Sequence, residues 1–251
     1  MKIFKHQGGV VINNNFLKCS VSHIRKYKPN LIITSPPYNV NLKYNTIEDA
    51  MYYPEYLKWT AKWLRKCYFI LPSCGRLCCN IPLVNNKAKK PFYSHLVSIA
   101  EKIGYTHQTT IIWNKSNVAR RTAWGSYLKP SAPYVIAPIE VIVVFYKKVW
   151  KRGGEGIDIT KEEFIKWTNG LWDFPGIKHK YHPAAFPPEL PKRLIKLYSY
   201  QSDVIMDPFL GSGTTILMSN LLKRKSVGIE LDKKYFRRIV YDVKTQPLPI
   251  F

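Results

Sequence analysis

Short apolar runs that end in turn-forming residues recur along the chain and predict buried β-strands. The run Leu31–Ile33 is followed by Thr34, Ser35 and two prolines, which cannot continue a central strand. Similar apolar runs predict further strands at 76–81, 109–113, 141–146, 204–207 and 226–230, and β-branched residues are frequent in 109–113 and 141–146.

Between these runs, apolar residues recur every three or four positions and predict helices at 54–70, 91–103, 191–200 and 214–222. Pro54 fits the first turn of the first helix, and Gly104 fits the end of the second. Strands that alternate with helices indicate an α/β fold with helices on both faces of one sheet. Residues 1–30, 114–139 and 148–180 are polar, basic and without a regular period.

The charge of the chain favours a polyanionic partner. Its 251 residues suffice for one domain, and 39 Lys and Arg against 16 Asp and Glu leave a net charge of +23. A hydrophobic content of 46% excludes disorder of the whole chain. No apolar run approaches the roughly 20 residues that span a bilayer. The start of the chain has no signal-peptide-like apolar stretch, so we expect a cytoplasmic protein without a membrane partner.

The five cysteines predict neither a disulfide framework nor a metal site. Cys74, Cys78 and Cys79 lack the C-x-x-C spacing of structural zinc sites, and the latter two fall in a predicted strand. Buried cysteine behaves there as a small hydrophobic residue.

A glycine-rich turn, Asp207–Thr215, connects a predicted strand to a helix and predicts a small-molecule site. Gly211 and Gly213 allow backbone angles closed to other residues, and the helix N-terminus favours an anionic group. Glu230 ends the next strand, where an acid can accept hydrogen bonds from ribose hydroxyls. No lysine follows Gly213 as a phosphate-binding loop requires, which argues against an NTPase.

Three motifs together resemble those of DNA amino-methyltransferases. Asp207–Thr215 is similar to their S-adenosylmethionine loop, DPF-x-GSGTT, and Thr34–Tyr38 to their catalytic loop, [DNS]-PP-[YFW]. The segment 182–187, His-Pro-Ala-Ala-Phe-Pro, is similar to the one that precedes the cofactor loop. The catalytic loop comes first along the chain, which is the permuted order of the beta group. The resemblance spans about residues 28–240.

The resemblance implies a Rossmann-like α/β methyltransferase fold with a mixed, mostly parallel sheet. Residues 1–251 then form one catalytic domain with a small target-recognition insertion at about 116–180. The implied partner is double-stranded DNA, and a homodimer and a cognate restriction endonuclease of a restriction-modification system are further expectations.

The implied site residues fall into three groups. The catalytic loop is Ser35, Pro36, Pro37 and Tyr38. S-adenosylmethionine contacts are expected at Asp207, Phe209, Gly211, Ser212, Gly213, Thr214, Thr215, Glu230, His182, Pro183 and Phe186. DNA contacts are expected at Arg120, Arg121, Trp124, Lys129, Lys151 and Arg152, a set that combines basic side chains with one aromatic side chain.

The chemistry gives a reason for Ser-Pro-Pro-Tyr. An exocyclic amine is a weak nucleophile because its lone pair is delocalised into the base. The Ser35 hydroxyl and the Pro36 carbonyl can accept hydrogen bonds from the two N–H groups of the amine. These bonds localise the lone pair on its nitrogen. Tyr38 can then stack on a nucleotide that has been flipped out of the duplex.

Serine at the first position of this loop is typical of the family's cytosine-N4 enzymes, whereas aspartate is typical of adenine-N6 enzymes. We therefore expect cytosine N4 as the target and keep adenine N6 as the alternative. An RNA amino-methyltransferase and, in a different class, a non-catalytic basic DNA-binding protein also remain open.

Overall fold

The computed structural model describes residues 1–45, 47–85, 87–115, 125–126, 128–133, 138–178 and 180–245. The strands are β1 (Lys2–His6), β2 (Gly9–Asn13), β3 (Leu31–Thr34), β4 (Lys43–Tyr44), β5 (Ile47–Glu48), β6 (Arg76–Ile81), β7 (Tyr105–Asn114), β8 (Ile139–Lys147), β9 (Leu171–Asp173), β10 (Val204–Asp207) and β11 (Lys225–Glu230). The helices are α1 (Val21–Arg25), α2 (Tyr53–Ile70), α3 (Phe92–Ile103), α4 (Lys161–Trp167), α5 (Glu189–Tyr198), α6 (Thr214–Leu221) and α7 (Lys233–Thr245).

Nine strands form one sheet in the order β1-β2-β11-β10-β3-β6-β8-β7-β9, and β4 pairs with β5 in a separate hairpin. The five neighbours β2, β11, β10, β3 and β6 are all parallel to one another. β8 is antiparallel to both β6 and β7, and β1 is antiparallel to β2. The expected mixed, mostly parallel sheet is therefore confirmed.

The direction of the strands gathers functional residues at one edge of the sheet. The carboxyl ends of β3, β10 and β11 carry Thr34, Asp207 and Glu230. Because β8 runs antiparallel to β6, its first residues lie beside the last residues of β6, with Val141 opposite Ile81. Ligands of such sheets bind at this edge.

Helices cover both faces of the sheet because successive strand residues point to opposite sides. Ile32 and Cys79 pack with α2 and α3 in one buried cluster, whereas Ile33 and Cys78 pack with α5 in the other. A smaller cluster joins α7 to β2 through Ile239 and Val11. The cysteines of β6 are therefore core residues, and burial raises the pKa of both thiols.

The strongest periodic segments of the sequence are confirmed with small changes at their ends. The strand 204–207 is observed at the predicted bounds, and α2 and α3 begin and end within one residue of theirs. Pro54 lies in the first turn of α2, and Gly104 ends α3 with a φ of 114°. No helix in the described part of the chain is long and apolar enough to cross a membrane.

The segments without a regular sequence period contain additional elements. Residues 2–13 form the hairpin β1–β2, in which β2 pairs with β11 from the far end of the chain. Residues 161–173 contain α4, which begins with a capping box of Thr160 and Glu163, and the edge strand β9. These elements are short, and β2 and β9 pair with strands that are distant in the sequence. Within the range of the expected insertion, β8 and β9 belong to the main sheet.

A buried ion pair connects α6, the end of α5 and the segment before α4. The fully buried guanidinium of Arg224 pairs with Asp158 and donates to the carbonyl oxygens of Ser199 at 3.0 Å and Leu222 at 2.8 Å. Removing one partner of such a pair leaves the other charge without compensation.

We expect Arg224→Ala to lower the free energy of unfolding by about 3–5 kcal/mol. The matched control is Arg238→Ala, which removes a more exposed i,i+4 pair with Asp242 and should cost less than about 1 kcal/mol. Urea denaturation followed by circular dichroism measures both. Equal losses in the two variants would contradict this role of Arg224.

Candidate active site

The turn after β10 is organised around the buried carboxylate of Asp207. Its Oδ1 accepts hydrogen bonds from Thr34 Oγ1 at 2.8 Å and the Phe209 amide at 3.0 Å. Its Oδ2 accepts one from Thr215 Oγ1 at 2.8 Å. Burial raises the pKa of Asp207 to about 6, although these hydrogen bonds oppose the rise. Asp207 and Thr215 therefore hold the loop in place and do not line the cleft beside it.

Two glycines shape this turn for different reasons. Gly211 has a φ of 56°, and a Cβ there would lie 2.8 Å from His182 Nε2 on the cleft wall. Gly213 has a φ of 87°, and a Cβ there would meet Ile239 of α7 at 3.0 Å. Gly211 and Ser212 line the cleft, whereas Gly213 and Thr214 lie behind them. The need for glycine at 213 thus comes from its backbone angle and from packing against α7.

Glu230 ends β11 beside the same turn. Its Oε2 accepts the Gly211 amide and its Oε1 accepts the Asp232 amide, each at 2.7 Å. Burial raises the pKa of Glu230 to about 7, and the nearby Asp232 carboxylate adds to the rise. Asp232 accepts the amides of Lys234 and Tyr235 and so caps α7, as its position in the sequence suggests.

Aromatic side chains form one wall of the cleft. Phe209 contacts Trp59 at 5.4 Å, Trp63 at 5.6 Å and Phe16 at 5.9 Å between ring centroids. Phe209 therefore packs against the core and also faces the cleft. Trp59 and Phe16 line the cleft with it.

The segment before α5 forms the opposite wall. The buried ring of His182 lies 4.8 Å from Tyr235 and 5.7 Å from Tyr44 between centroids, and its Nδ1 accepts the Ala184 amide at 3.3 Å. His182 and Phe186 line the cleft, and their contact with S-adenosylmethionine stays a prediction. Pro183 is exposed and is not part of the wall.

The loop Ser35–Tyr38 follows β3 and enters the same cleft. Tyr56 of α2 donates to the Pro37 carbonyl at 2.7 Å and so fixes the end of the loop. The oxygens of Ser35 and Tyr38 are 2.6 Å apart. Tyr38 is partly buried against the core, and its hydroxyl contacts Glu140 at 3.0 Å. A stacking role for its ring stays a prediction.

The catalytic-type loop and the glycine-rich turn thus share one cleft with a volume of about 240 Å³. Several residues that line it were not predicted from the sequence, namely Asn14, Asn15, Phe16, Leu17, Tyr44, Asp49, Met51, Tyr56, Trp59 and Tyr235. Most are aromatic or amide residues within segments of no recognisable motif. A lone acid at the start of an apolar strand was the one signal for Glu140, which contacts the loop through Tyr38.

The basic residues expected to contact DNA have different surroundings. Arg120, Arg121 and Trp124 lie outside the described residues. Lys129 and Lys151 are exposed, which keeps them available to a phosphate. The side chain of Arg152 is only 7% exposed and forms a two-pronged ion pair with Asp203, so its contact with DNA stays a prediction that the surroundings do not favour.

Known proteins are similar to this chain in sequence and in fold. The type II methyltransferase M.MjaVI of Methanocaldococcus jannaschii is 52% identical over 183 residues, which are 72% of this chain and 93% of that protein. M.MjaI of the same organism is 33% identical over 183 residues, which are 66% of this chain and 60% of M.MjaI. This chain thus spans about three fifths of the second relative.

Two solved structures have the same fold. TTHA0409 of Thermus thermophilus, described as a DNA modification methylase, is 25% identical with a TM-score of 0.72 over 96% of both chains. The cytosine-N4-specific PvuII DNA methyltransferase is 17% identical with a TM-score of 0.71, over 94% of this chain and 86% of that one. The second shows the fold alone.

The model of one family matches most of the chain. It is the DNA methylase family of N6 and N4 methyltransferases, and it matches residues 30–241. Both loops and both walls of the cleft fall within that range, apart from the residues contributed by the segment after β2. The chain therefore belongs to the DNA methylase family of N6 and N4 methyltransferases.

Proposed function

We propose that this protein transfers a methyl group from S-adenosylmethionine to the N4 amine of a flipped cytosine in double-stranded DNA, within a restriction-modification system. Membership of the N6/N4 family makes it a DNA amino-methyltransferase. The observation that carries the finer proposal is Ser35, which occupies the first position of the catalytic loop inside the shared cleft.

The side chains that line the cleft suit S-adenosylmethionine in their chemistry. Phe209 and Trp59 offer aromatic faces for an adenine ring, and the Glu230 carboxylate retains acceptor capacity for ribose hydroxyls. Carboxylates and aromatic rings also favour a positively charged sulfonium. When bound, the cofactor supplies an electrophilic methyl group. A structural relative, TTHA0409, was solved with S-adenosylmethionine bound.

The catalytic loop can make an exocyclic amine more nucleophilic. The Ser35 hydroxyl and the Pro36 carbonyl are acceptors, and Tyr56 occupies the carbonyl of Pro37 and not that of Pro36. Acceptors at both N–H bonds localise the lone pair on nitrogen. The rest of the catalysis is orientation of the amine and the methyl group within the cleft.

Adenine N6 is the second candidate. The DNA adenine methyltransferase YhdJ of Escherichia coli is 24% identical over 93% of this chain. Both bases present an exocyclic amine to the same pair of acceptors. The exposed lysines, including Lys129 and Lys151, suit phosphate contacts with either target.

Nucleoside mass spectrometry of unmethylated DNA, incubated with the purified protein and S-adenosylmethionine, should detect N4-methylcytosine. Serine at position 35 is the reason for this expectation. N6-methyladenine would overturn the choice of base and keep the enzyme class. Methylation of RNA but not of DNA at matched salt would overturn the choice of DNA as the substrate. The absence of a methylated product on either would favour a non-catalytic binding protein.

Ser35→Ala should lower kcat by about tenfold or more while the affinity for S-adenosylmethionine stays unchanged, because one acceptor for the amine is lost. The matched control is Ser94→Ala, an exposed serine on α3. Steady-state kinetics and calorimetry measure the two quantities. Full activity of Ser35→Ala would remove Ser35 from the mechanism.

The affinity for S-adenosylmethionine should fall as the pH is lowered through about 7, the pKa that burial gives Glu230. The carboxylate that accepts ribose hydroxyls is present above this pKa and is protonated below it. Between pH 8 and pH 6 we expect an affinity loss of up to about tenfold, measured by calorimetry.

Glu230→Gln is the control for this pH effect, because it keeps the titration of the cofactor's own groups. The variant should bind more weakly at pH 8, and the extra pH dependence of the native protein should disappear. The same pH profile in both proteins would contradict the assignment of Glu230.

A further inference from the structure

Glu140 lies at the start of β8 and connects three segments beside the catalytic loop. Its Oε2 accepts hydrogen bonds from Tyr38 Oη at 3.0 Å and Asn80 Nδ2 at 2.5 Å, and its Oε1 pairs with Lys115. The side chain is 12% exposed. The antiparallel pairing of β8 with β6 places Glu140 and Asn80 at the same edge of the sheet.

The hydrogen of the Tyr38 hydroxyl has one preferred direction. Tyr38 Oη lies 2.9 Å from Asn80 Nδ2, which can only donate, and 3.2 Å from the backbone carbonyl oxygen of Asn80. The Glu140 carboxylate is closer than that carbonyl and carries a charge, which makes it the stronger acceptor. Tyr38 therefore donates to Glu140.

This direction decides what Ser35 does. The Tyr38 hydroxyl has a single hydrogen and donates it to Glu140. Ser35 must therefore be the donor of the 2.6 Å hydrogen bond between Ser35 Oγ and Tyr38 Oη. Tyr38 Oη then accepts two bonds, from Ser35 and Asn80, and donates one. Ser35 is left with lone pairs and no free hydrogen.

We propose that Glu140 is a positioning residue of the methyl transfer, which acts through Tyr38 to orient the Ser35 hydroxyl as an acceptor for the target amine. A Ser35 hydroxyl free to rotate could instead point its hydrogen at the nucleophilic lone pair and oppose the reaction. The inference rests on the proposed function, and it applies equally to a cytosine and an adenine amine.

Two further observations support a functional role over a purely structural one. Asn80 Oδ1 is buried and has no hydrogen-bond partner among the described residues, a cost that structures rarely carry without a use. Burial and the Glu140 carboxylate both raise the pKa of Tyr38 well above its ordinary value, so the phenol keeps its hydrogen at neutral pH.

Glu140→Gln tests the chain of hydrogen bonds with almost no change of shape. Lys115 can only donate, so the amide oxygen should turn to Lys115 and the amide NH₂ to Tyr38. The strong acceptor for Tyr38 is then lost. We expect kcat to fall about ten- to hundredfold at saturating substrates, with the dissociation constant for S-adenosylmethionine unchanged.

A second background separates action through Tyr38 from any other effect. In Tyr38→Phe the link is already broken, so adding Glu140→Gln should change kcat by less than about twofold. Glu163→Gln is the matched control, because this partly buried glutamate of α4 pairs with Lys196 of α5. It should leave kcat unchanged. Undiminished kcat in Glu140→Gln, or the same loss in both backgrounds, would overturn the inference.

A readout without turnover keeps this inference distinct from the proposed function. With 3-fluorotyrosine at position 38, the fluorine resonance should shift in Glu140→Gln and in Ser35→Ala but not in Glu163→Gln. An unshifted resonance in Glu140→Gln would refute the contact. A native protein that methylates neither DNA nor RNA would refute the proposed function, while the fluorine spectra would still decide the role of Glu140.

Discussion

The carboxylate of Asp207 receives hydrogen bonds from three groups, two of them close to it in the sequence and one on the distant strand β3. Thr34 is the last residue of β3, Thr215 lies in the first turn of α6, and the Phe209 amide belongs to the turn itself. The loop Ser35–Tyr38 begins directly after Thr34, and the glycine-rich turn begins at Asp207. One buried group therefore sets the position of both loops relative to each other. Burial makes its charge costly, and the three donors offset that cost.

Parallel strands make this arrangement available. β3, β10 and β11 are neighbours or next neighbours in the sheet, so their carboxyl ends open into one cleft. Each end contributes a different chemical function: hydroxyl and carbonyl acceptors after β3, backbone amides and an aromatic ring after β10, and a carboxylate on β11. β8 runs the opposite way and adds Glu140 to the same edge from its first residues. A purely parallel arrangement would place the start of that strand at the other edge.

The acids of this basic chain lie largely inside or against basic partners. Asp158 and Asp203 pair with arginines whose side chains are almost fully enclosed, and Glu140 pairs with Lys115. Asp207 and Glu230 are buried at the cleft. The surface is consequently left with an excess of lysine and arginine. Their positive electrostatic potential attracts a phosphate backbone. Composition does not show which basic residues contribute to this surface charge, because Asp203 pairs with Arg152 within the fold.

The sequence alone determined the features that depend on neighbours along the chain. Short apolar runs predict β3, β6 and β10, and helical periods predict α2 and α3, because the order of the residues reflects which positions are buried. The two loop motifs and Glu230 were recognisable because their chemistry needs fixed local spacing. Only the tertiary structure decided which motif residues face the cleft, since Gly213 and Thr215 differ from Gly211 and Ser212 in their distant partners. It also decided the roles of Glu140, Asn80 and Trp59, whose contacts join strands and helices separated by tens of residues. Local spacing carries no information about such contacts, because they form only when the sheet brings its edges together.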